Sequence, residues 1–173
     1  IQPSAGYFPR LRQMFYMMFF LDDLPILNKI LKPFHQQDKN FYHKKQTVDW
    51  VTGAFLLVKK AVINKIGGFD EDYFMYAEEV DFCYRAKRAG FRVFYTPEAK
   101  IIHQKEASPR YLENHKAILG EYKGLQTFFQ KHKASWELPV LRLILRIGAL
   151  LRVFVFGILL NDAEKREIYF KAF

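Results

Sequence analysis

The fold of this chain is decided by residues 67–90, which read GGFDEDYFMYAEEVDFCYRAKRAG. Two glycines open the stretch and one closes it, as glycines do where helices end. The spacing predicts an acidic loop over 69–75 and then a helix over 76–89. Glu78 and Glu79 therefore fall in the first helical turn, where the helix dipole favours acidic side chains.

Negative charge is concentrated in this same stretch. The chain has 27 basic and 18 acidic residues and a formal charge of +9, yet six of the acids lie between Asp70 and Asp81 with no base among them. A concentrated negative site in a basic protein indicates that these carboxylates hold a cation or accept a proton. The alternative is a solvated acidic loop. An apolar content of 50% excludes a disordered chain. The single cysteine, Cys83, excludes an internal disulfide and is interpreted as a small core residue.

The rest of the chain predicts helices alternating with strands, and hence an α/β fold. Helices are expected over 14–21, 59–66, 108–131 and from 138 onward. Strands are expected over 48–58, 91–95 and 99–103, and a polar, mobile loop over 35–46. The apolar stretch 138–160 contains three arginines, so it is a poor candidate for a membrane span.

Four motifs occur in a familiar order: VDWVTGAF at 48–55, GGFDE at 67–71, FMYAEEVDFCYR at 74–85, and YTP at 95–97 leading to His103. Together they resemble the acceptor-side half of bacterial family 2 glycosyltransferases, in particular the rhamnosyltransferase-like branch. The resemblance implies the C-terminal part of a GT-A (nucleotide-diphospho-sugar transferase) fold, with a mixed sheet followed by C-terminal helices.

The same resemblance implies three regions. Residues 1–47 would connect to the catalytic domain, 48–110 would form its acceptor-side half, and 111–173 would form a C-terminal helical region. In this family the donor half carries a βαβ nucleotide-binding region and an Asp-x-Asp metal motif, and neither precedes Val48. The chain is therefore expected to be a C-terminal fragment that is inactive by itself. Asp70-Glu71-Asp72 has the Asp-x-Asp form but belongs to the acceptor loop, so no metal is assigned to it.

The implied function is transfer of a sugar, with rhamnose as a candidate, from a nucleotide-sugar donor. The acceptor would be a cell-surface polysaccharide or a lipid-linked glycan, the reaction would invert the anomeric centre, and a divalent cation, magnesium or manganese, would assist. A non-catalytic basic module that binds a membrane surface or nucleic acid is the alternative. Nucleic acid is not expected as a partner, because the basic residues are dispersed and no nucleic-acid motif is present.

Inverting transfer needs a base beside the acceptor hydroxyl. In the family an acid pair opens the central helix and its second member is the base, which places the role on Glu79, with Asp81 in reserve. A solvated first-turn acid is the alternative for Glu79. Asp81 and Arg85 are four residues apart and are expected to form an ion pair on one helix face.

Four residues are candidates for acceptor binding. Glu78 and Asp70 could accept hydrogen bonds from sugar hydroxyls. Trp50 could offer a flat apolar face to a sugar ring, with Gly53 allowing close backbone approach, and a place in the core is the alternative for Trp50.

The end of the predicted strand 99–103 supplies the donor-side candidates. His103 could complete the metal site, although a lone histidine is as often simply packed. Lys105, Ser108 and Arg110 could bind the donor diphosphate at a helix N-terminus, with an ordinary helix cap as the alternative.

The final apolar helix carries Arg142, Arg146 and Arg152 within an arc of about 120° at 100° per residue. It could lie in the interface of an anionic membrane with these arginines reaching phosphates, or pack on the catalytic domain or a second subunit. If the helix lies in the membrane interface, the chain is expected to be a peripheral protein on the cytoplasmic face of the bacterial inner membrane.

Overall fold

The computed structural model describes residues 2–73, 75–103 and 110–172. Within those ranges the strands are β1 (Ala5–Gly6), β2 (Gln46–Val48), β3 (Trp50–Val51) and β4 (Val93–Tyr95). The α-helices are α1 (Leu11–Met18), α2 (Pro25–Leu31), α3 (Lys60–Ile66), α4 (Glu78–Arg88), α5 (Arg110–His132), α6 (Glu137–Phe154) and α7 (Ala163–Ala172). Two 3-10 turns, Lys39–His43 and Gly53–Phe55, and a π-helical turn, Val155–Leu159, complete the order.

The strands form two separate antiparallel pairs. β1 pairs with β3, placing Gly6 opposite Trp50, and β2 pairs with β4, placing Val48 opposite Val93. The predicted mixed sheet is therefore not found in the described ranges. Each strand has only two or three residues and a single partner, whereas a parallel pair needs a long crossover between two strands of one sheet.

Two of the predicted strands are wrong in extent. The strand expected over 48–58 is interrupted after Val51, because the chain turns into the 3-10 helix at Gly53. The strand expected over 99–103 is irregular backbone instead. His103 consequently follows a bend and not a strand.

The helices around the acidic loop agree with the prediction. α3 ends at Gly67, with φ of 80°, and α4 is followed by Gly90, with φ of 91°. Both values lie in the left-handed region that glycine enters without a steric penalty. These two glycines therefore set the length of the segment that carries the acidic cluster.

The segment 35–46 is ordered, contrary to the mobile loop that its polar composition predicted. Tyr42 is buried, and its hydroxyl accepts a hydrogen bond from the backbone N–H of Ala5 at 3.3 Å and donates to the carbonyl of Gln36 at 2.6 Å. A buried tyrosine whose hydroxyl is hydrogen-bonded can hold a polar loop in place, because both burial of the ring and the hydrogen bonds are lost if the loop moves away.

The core lies between the strands and the C-terminal helices. α5 contributes Leu125, Phe128 and Phe129, and α6 contributes Leu141, all fully buried. Burial of each such side chain stabilises the fold by about 1.5–3 kcal/mol. α6 packs against α1 and α7, so the alternative of a helix packed on the rest of the domain is confirmed for one of its faces.

Two short helices and the position of one arginine were not predicted. The short helices α2 and α7 were missed, and Arg152 lies in the interior, where its guanidinium donates to the carbonyls of Met17 and Met18. The expectation that Arg152 reaches lipid phosphates is therefore wrong. No helix in the described ranges is both long and apolar enough to cross a membrane.

Candidate active site

The start of α4 is held by an unusual pair of residues. Tyr76 and Ala77 have φ angles of 69° and 70°, so two consecutive non-glycine residues are left-handed. Each such residue costs on the order of 1–3 kcal/mol, a strain that clusters at functional sites. The surrounding packing must hold this turn.

The strained turn packs against two glycines of α5, Gly120 and Gly124. A Cβ added at Gly120 would lie 2.5 Å from Cδ2 of Tyr76, and one added at Gly124 would lie 2.4 Å from the carbonyl oxygen of Tyr76. These two residues, four apart on α5, leave a notch in which the backbone of the turn lies directly on the helix. The notch fixes the direction in which α4 begins.

The acid pair that follows is confirmed in the first turn of α4. Oε2 of Glu78 and Oε2 of Glu79 are both buried and have no hydrogen-bond partner within the described ranges. Buried carboxylate oxygens without partners are costly. Their presence side by side marks a place where a bound hydroxyl could donate.

The environment of Glu79 shifts its proton affinity upward. Burial is the main cause that raises the pKa of Glu79, and the neighbouring charge of Glu78 adds to it. Hydrogen bonds from the backbone N–H groups of Glu79 and Gly53, and the charge of His35, act in the opposite direction. A carboxylate with a raised pKa is a stronger base than an ordinary glutamate, which suits proton abstraction near neutral pH.

A contact between His35 and Glu121 escaped the sequence analysis. Nε2 of His35 lies 2.5 Å from Oε1 of Glu121, and the His35 ring meets Trp50 edge-on with centroids 5.4 Å apart. His35 and Glu121 are 86 positions apart in the chain. No local spacing could have joined them, and His35 lay in the segment expected to be mobile.

Asp81 lies in the same helix but has a different environment. Its side chain is fully buried, Oδ2 accepts from Nε of Arg85 at 2.6 Å, and Oδ1 lies 2.6 Å from Nε2 of His132. The hydroxyl of Tyr73 donates to Oδ1 at 3.4 Å. The predicted Asp81–Arg85 ion pair is confirmed.

Arg85 also joins two of the sequence motifs. Its Nη1 donates to the carbonyl of Ile66 and its Nη2 to the carbonyl of Gly68, both at 2.9 Å. The end of α3 and the glycine pair are therefore tied to α4 through one guanidinium. Part of the motif pattern thus has a structural role.

Asp70 is engaged by a cation from α5. Nζ of Lys131 lies 2.6 Å from carboxylate oxygens of both Asp70 and Asp72. The hydrogen bond from Lys131 and another from the backbone N–H of Asp72 lower the pKa of Asp70. Lys131 therefore offsets part of the negative charge of the acidic loop.

Two predicted residues lie in the core. Trp50 is 4% exposed and its indole N–H donates to the carbonyl of Tyr7 at 3.2 Å, which is the core position that the sequence left open for it. Cys83 is buried as predicted, and burial raises the pKa of its thiol to about 11. Such a thiol is protonated and inert at neutral pH.

The described ranges contain no group of three His, Cys, Asp or Glu side chains that could hold a metal ion. His103 is exposed, and its Nδ1 lies 3.2 Å from Oε1 of Gln2. This donor set does not fit a divalent cation, because His103 supplies one ligand at most. No step of the chemistry below is therefore routed through a metal.

The donor-side candidates are placed only in part. Lys105 and Ser108 lie outside the described residues, and Arg110 is the first residue of α5. A cleft of about 540 Å³ lies elsewhere, between α4 and the end of α5, with Arg85, Arg88, Lys131 and His132 in its wall. The acid pair of α4 does not line that cleft.

The sequence model described as glycosyltransferase-like family 2 matches residues 29–117. An N-acetylglucosaminyl-diphospho-decaprenol L-rhamnosyltransferase of Mycobacterium tuberculosis is 36% identical over 109 residues, which are 62% of this chain and 35% of that protein. The rhamnosyltransferase WbbL of Escherichia coli is 40% identical over 65 residues, 38% of this chain and 25% of that protein.

A third relative, the O-antigen biosynthesis protein RfbC of Myxococcus xanthus, is 33% identical over 72 residues, 40% of this chain and 6% of that protein. No solved structure matches the chain significantly. The chain spans about a third of the length of the first of these relatives. The family match covers half of the chain and includes the acid pair, so the chain belongs to the glycosyltransferase-like family 2.

Proposed function

We propose that this chain forms the acceptor side of an inverting glycosyltransferase, with rhamnose from a nucleotide-sugar donor as the first sugar to test. The acceptor is a cell-surface polysaccharide or a lipid-linked glycan. The proposal is carried by one buried carboxylate oxygen each of Glu78 and Glu79, which have no hydrogen-bond partner among the residues that the structure describes. Rhamnosyltransferases among the relatives support the sugar and the class of acceptor.

Glu79 is the base in this proposal. Its carboxylate takes the proton of the acceptor hydroxyl while that oxygen bonds to the anomeric carbon and the nucleoside diphosphate leaves with the electron pair of the broken C–O bond. Glu78 and the backbone of Gly53 adjoin Glu79 and orient the acceptor hydroxyl. Asp81 has two strong partners already, so we assign it a structural role instead of the reserve role of base.

In this proposal the other two acceptor candidates, Trp50 and Asp70, have structural roles and do not contact the acceptor. Trp50 packs beneath His35, and Asp70 holds Lys131. The family's divalent cation, magnesium or manganese, and the donor nucleotide would need ligands besides His103 and Arg110, because the described ranges contain no group of three His, Cys, Asp or Glu side chains that could hold a metal ion. For that reason we expect no turnover from this chain alone.

The test is a sugar-transfer assay on the full-length transferase that contains this chain. Glu79→Gln should lower kcat by about 10²–10⁴-fold, the usual contribution of a general base, and leave donor affinity unchanged. Glu167→Gln, the same substitution at an exposed residue of α7 outside all four motifs, is the matched control and should keep its activity. Turnover retained in Glu79→Gln would exclude Glu79 as the base.

The exposed face of α6 supports a second part of the proposal, attachment to a membrane surface. Opposite the buried face of this helix, apolar side chains recur every three or four residues and stay at least a third exposed: Val140, Leu143, Ile147, Leu150 and Phe154. This apolar stripe is flanked by Arg142 and Arg146, both exposed. An apolar strip beside cations suits the interface of an anionic bilayer such as the cytoplasmic face of the bacterial inner membrane.

Vesicle sedimentation tests the attachment. The chain should bind vesicles that contain an anionic phospholipid more tightly than zwitterionic ones, and Ile147→Glu should weaken binding about tenfold or more, because a buried apolar side chain is lost. Leu57→Glu, at an apolar residue that is 92% exposed away from α6, is the control. Equal binding by the two variants, or tighter binding to single-stranded DNA than to vesicles, would contradict a membrane role for the stripe.

A further inference from the structure

The cleft of about 540 Å³ between α4 and the end of α5 has no part in the proposed reaction. Its volume is typical of a small-molecule site, about 300–1,000 Å³. The wall includes Arg85, Arg88, Lys131 and His132, together with the ring of Tyr84. Among the residues that the structure describes, no carboxylate belongs to this wall. A concave surface lined by cations favours an anionic ligand.

Two of these cations are held in place by other groups of the chain. Arg85 donates from each of its three nitrogens, to one carboxylate and two backbone carbonyls. Lys131 lies 2.6 Å from two carboxylates of the acidic loop. A guanidinium has five N–H donors and an ammonium has three, so both groups keep donors for a ligand. Their side chains are only 22% and 28% exposed, and partial shielding from water strengthens their attraction for an anion.

Arg88 differs from these two cations because it has no partner in the described part of the chain. It is exposed in the last turn of α4, and it makes no hydrogen bond or ion pair with another described residue. Arg85 lies three positions before it on the same helix face, where two like charges repel each other. An anion bound between Arg85 and Arg88 would remove this repulsion and could accept a bidentate hydrogen bond from Arg88.

Tyr84 places an aromatic ring beside the cations. The rings of Phe8 and Phe128 make edge contacts with it, with centroids 5.0 and 5.1 Å away, and these contacts fix its orientation. The Tyr84 hydroxyl makes no hydrogen bond to another described residue, so it is left to bond with a ligand hydroxyl. A sugar offers both an apolar ring face and hydroxyl groups, and a tyrosine side chain matches both.

We propose that this cleft binds a phosphorylated sugar, with the phosphate between Arg88 and the two fixed cations and the sugar at Tyr84. A phosphate monoester carries close to two negative charges at neutral pH, so it matches several cations better than a single carboxylate does. Arg88 follows Glu79 by about 14 Å along α4 at about 1.5 Å per residue, so only an extended glycan could reach both places. The assignment of the phosphorylated sugar to the glycan acceptor rests on the proposed function, whereas binding in the cleft does not.

NMR titration of this chain with glucose 6-phosphate tests the site. Amide ¹H–¹⁵N shifts at the end of α4 and the end of α5 should move as the ligand is added. Arg88→Gln should weaken binding about tenfold, because a charge-assisted hydrogen bond is lost, and added salt should weaken it further. Arg92→Gln, the same substitution at an exposed arginine outside the cleft, should bind as the wild type does.

Further comparisons separate the two parts of the site. Tyr84→Phe should weaken the binding of glucose 6-phosphate but not that of inorganic phosphate, because only the sugar needs the hydroxyl. Glu79→Gln should leave binding unchanged, so that failure of the proposed base and failure of this site give different results. Arg88 is exposed, so Arg88→Gln should keep the unfolding midpoint of the wild type.

Three outcomes would overturn the inference. The first is a wild-type chain whose amide shifts do not move with glucose 6-phosphate. The second is equal affinity in Arg88→Gln and Arg92→Gln, which would leave Arg88 with the ordinary role of a cation at the negative end of a helix dipole. The third is binding of neutral glucose, or of inorganic phosphate alone, as tight as that of glucose 6-phosphate, since one half of the proposed ligand would then contribute nothing.

Discussion

Glu79 and Asp81 lie two residues apart on one helix and have opposite surroundings. Asp81 is fully buried and receives hydrogen bonds or ion pairs from Arg85, His132 and Tyr73. Glu79 is also largely buried, yet one of its oxygens has no partner in the described part of the chain. The same element therefore holds one carboxylate for the fold and offers another to a ligand.

The difference shows how a helix can serve both purposes at once. Successive residues on a helix point about 100° apart, so residues two positions apart lie on nearly opposite faces. One face of α4 meets the loop after α3 and the end of α5, where cations are available. The other meets the turn at Gly53, which offers backbone N–H groups. Charge alone would not separate these two acids, but the elements around them do.

The largest effect is expected from Asp81→Asn. The substitution leaves Arg85 and His132 with no carboxylate in a buried place, and removal of one member of such a pair costs about 3–5 kcal/mol. Urea denaturation of this chain should show that loss, while Glu79→Gln should not lower the free energy of unfolding at neutral pH. A comparable loss in both variants would remove the distinction between the two acids.

A smaller effect is expected where the strained turn meets α5. Gly124→Ala would place a Cβ 2.4 Å from the Tyr76 carbonyl oxygen, and overpacking of this kind costs about 1–3 kcal/mol. Denaturant unfolding should show this loss, and the pKa of Glu79 should change with it, because the start of α4 moves.

Two glycine controls sharpen the result for Gly124. Gly148→Ala meets Met18 at a similar distance, 2.5 Å, but lies on α6 away from Glu79, so its cost should come without a change in the Glu79 titration. In Gly53→Ala the added Cβ would have no atom of the described residues within 4 Å, so the substitution should cost little. If Gly124→Ala also left Glu79 unchanged, the notch would serve packing alone.

The pH dependence of stability should also differ between the two acids. Because the folded-state pKa of Glu79 is raised, the folded state binds more protons than the unfolded state between the ordinary glutamate pKa and the raised one. This group therefore lowers stability as the pH rises through that window. Glu79→Gln removes the loss, so the stability gained by the variant should grow with pH from about 4.5 upward and then level off. A constant difference across pH would contradict a raised pKa.

The smallest effect is expected at the exposed acidic loop. Lys131→Ala removes ion pairs to Asp70 and Asp72, and exposed pairs contribute about 1 kcal/mol or less. The loss should shrink further in 0.5 M salt, because such pairs are screened. A cost as large as that of Asp81→Asn would mean that the loop, and not the interior of α4, holds this region together.

The sequence predicted helices best where a glycine marks the end of the helix. Gly67 and Gly90 marked the ends of α3 and α4, and the Asp81–Arg85 pair followed from helical spacing. Strand extent was predicted poorly, since pairing depends on partners distant in the chain. The partners of β1 lie 44 and 46 positions away in the chain, and those of β2 lie 45 to 49 positions away, as in the registers Ala5 with Val51 and Val48 with Val93.

In the candidate site, too, local features could be predicted and long-range contacts could not. The place of Glu78 and Glu79 on the helix could be predicted from motifs alone. The pairing of His35 with Glu121, and of Asp81 with His132, could not, because each joins segments that no local pattern relates. Burial of Trp50 was one of two open interpretations, and only the packing of Phe34 and His35 around its ring decides between them.

The inward guanidinium of Arg152 has a practical consequence for anyone who trims this protein. It tethers α6 to the end of α1 across 134 positions and covers a part of the chain that precedes the matched family region. A clone cut to residues 29–117 would lose both partners of that tether, together with α6 and most of α5. The stretch that carries the family signature is therefore shorter than the unit that folds, and expression of that stretch alone should yield insoluble or unfolded material.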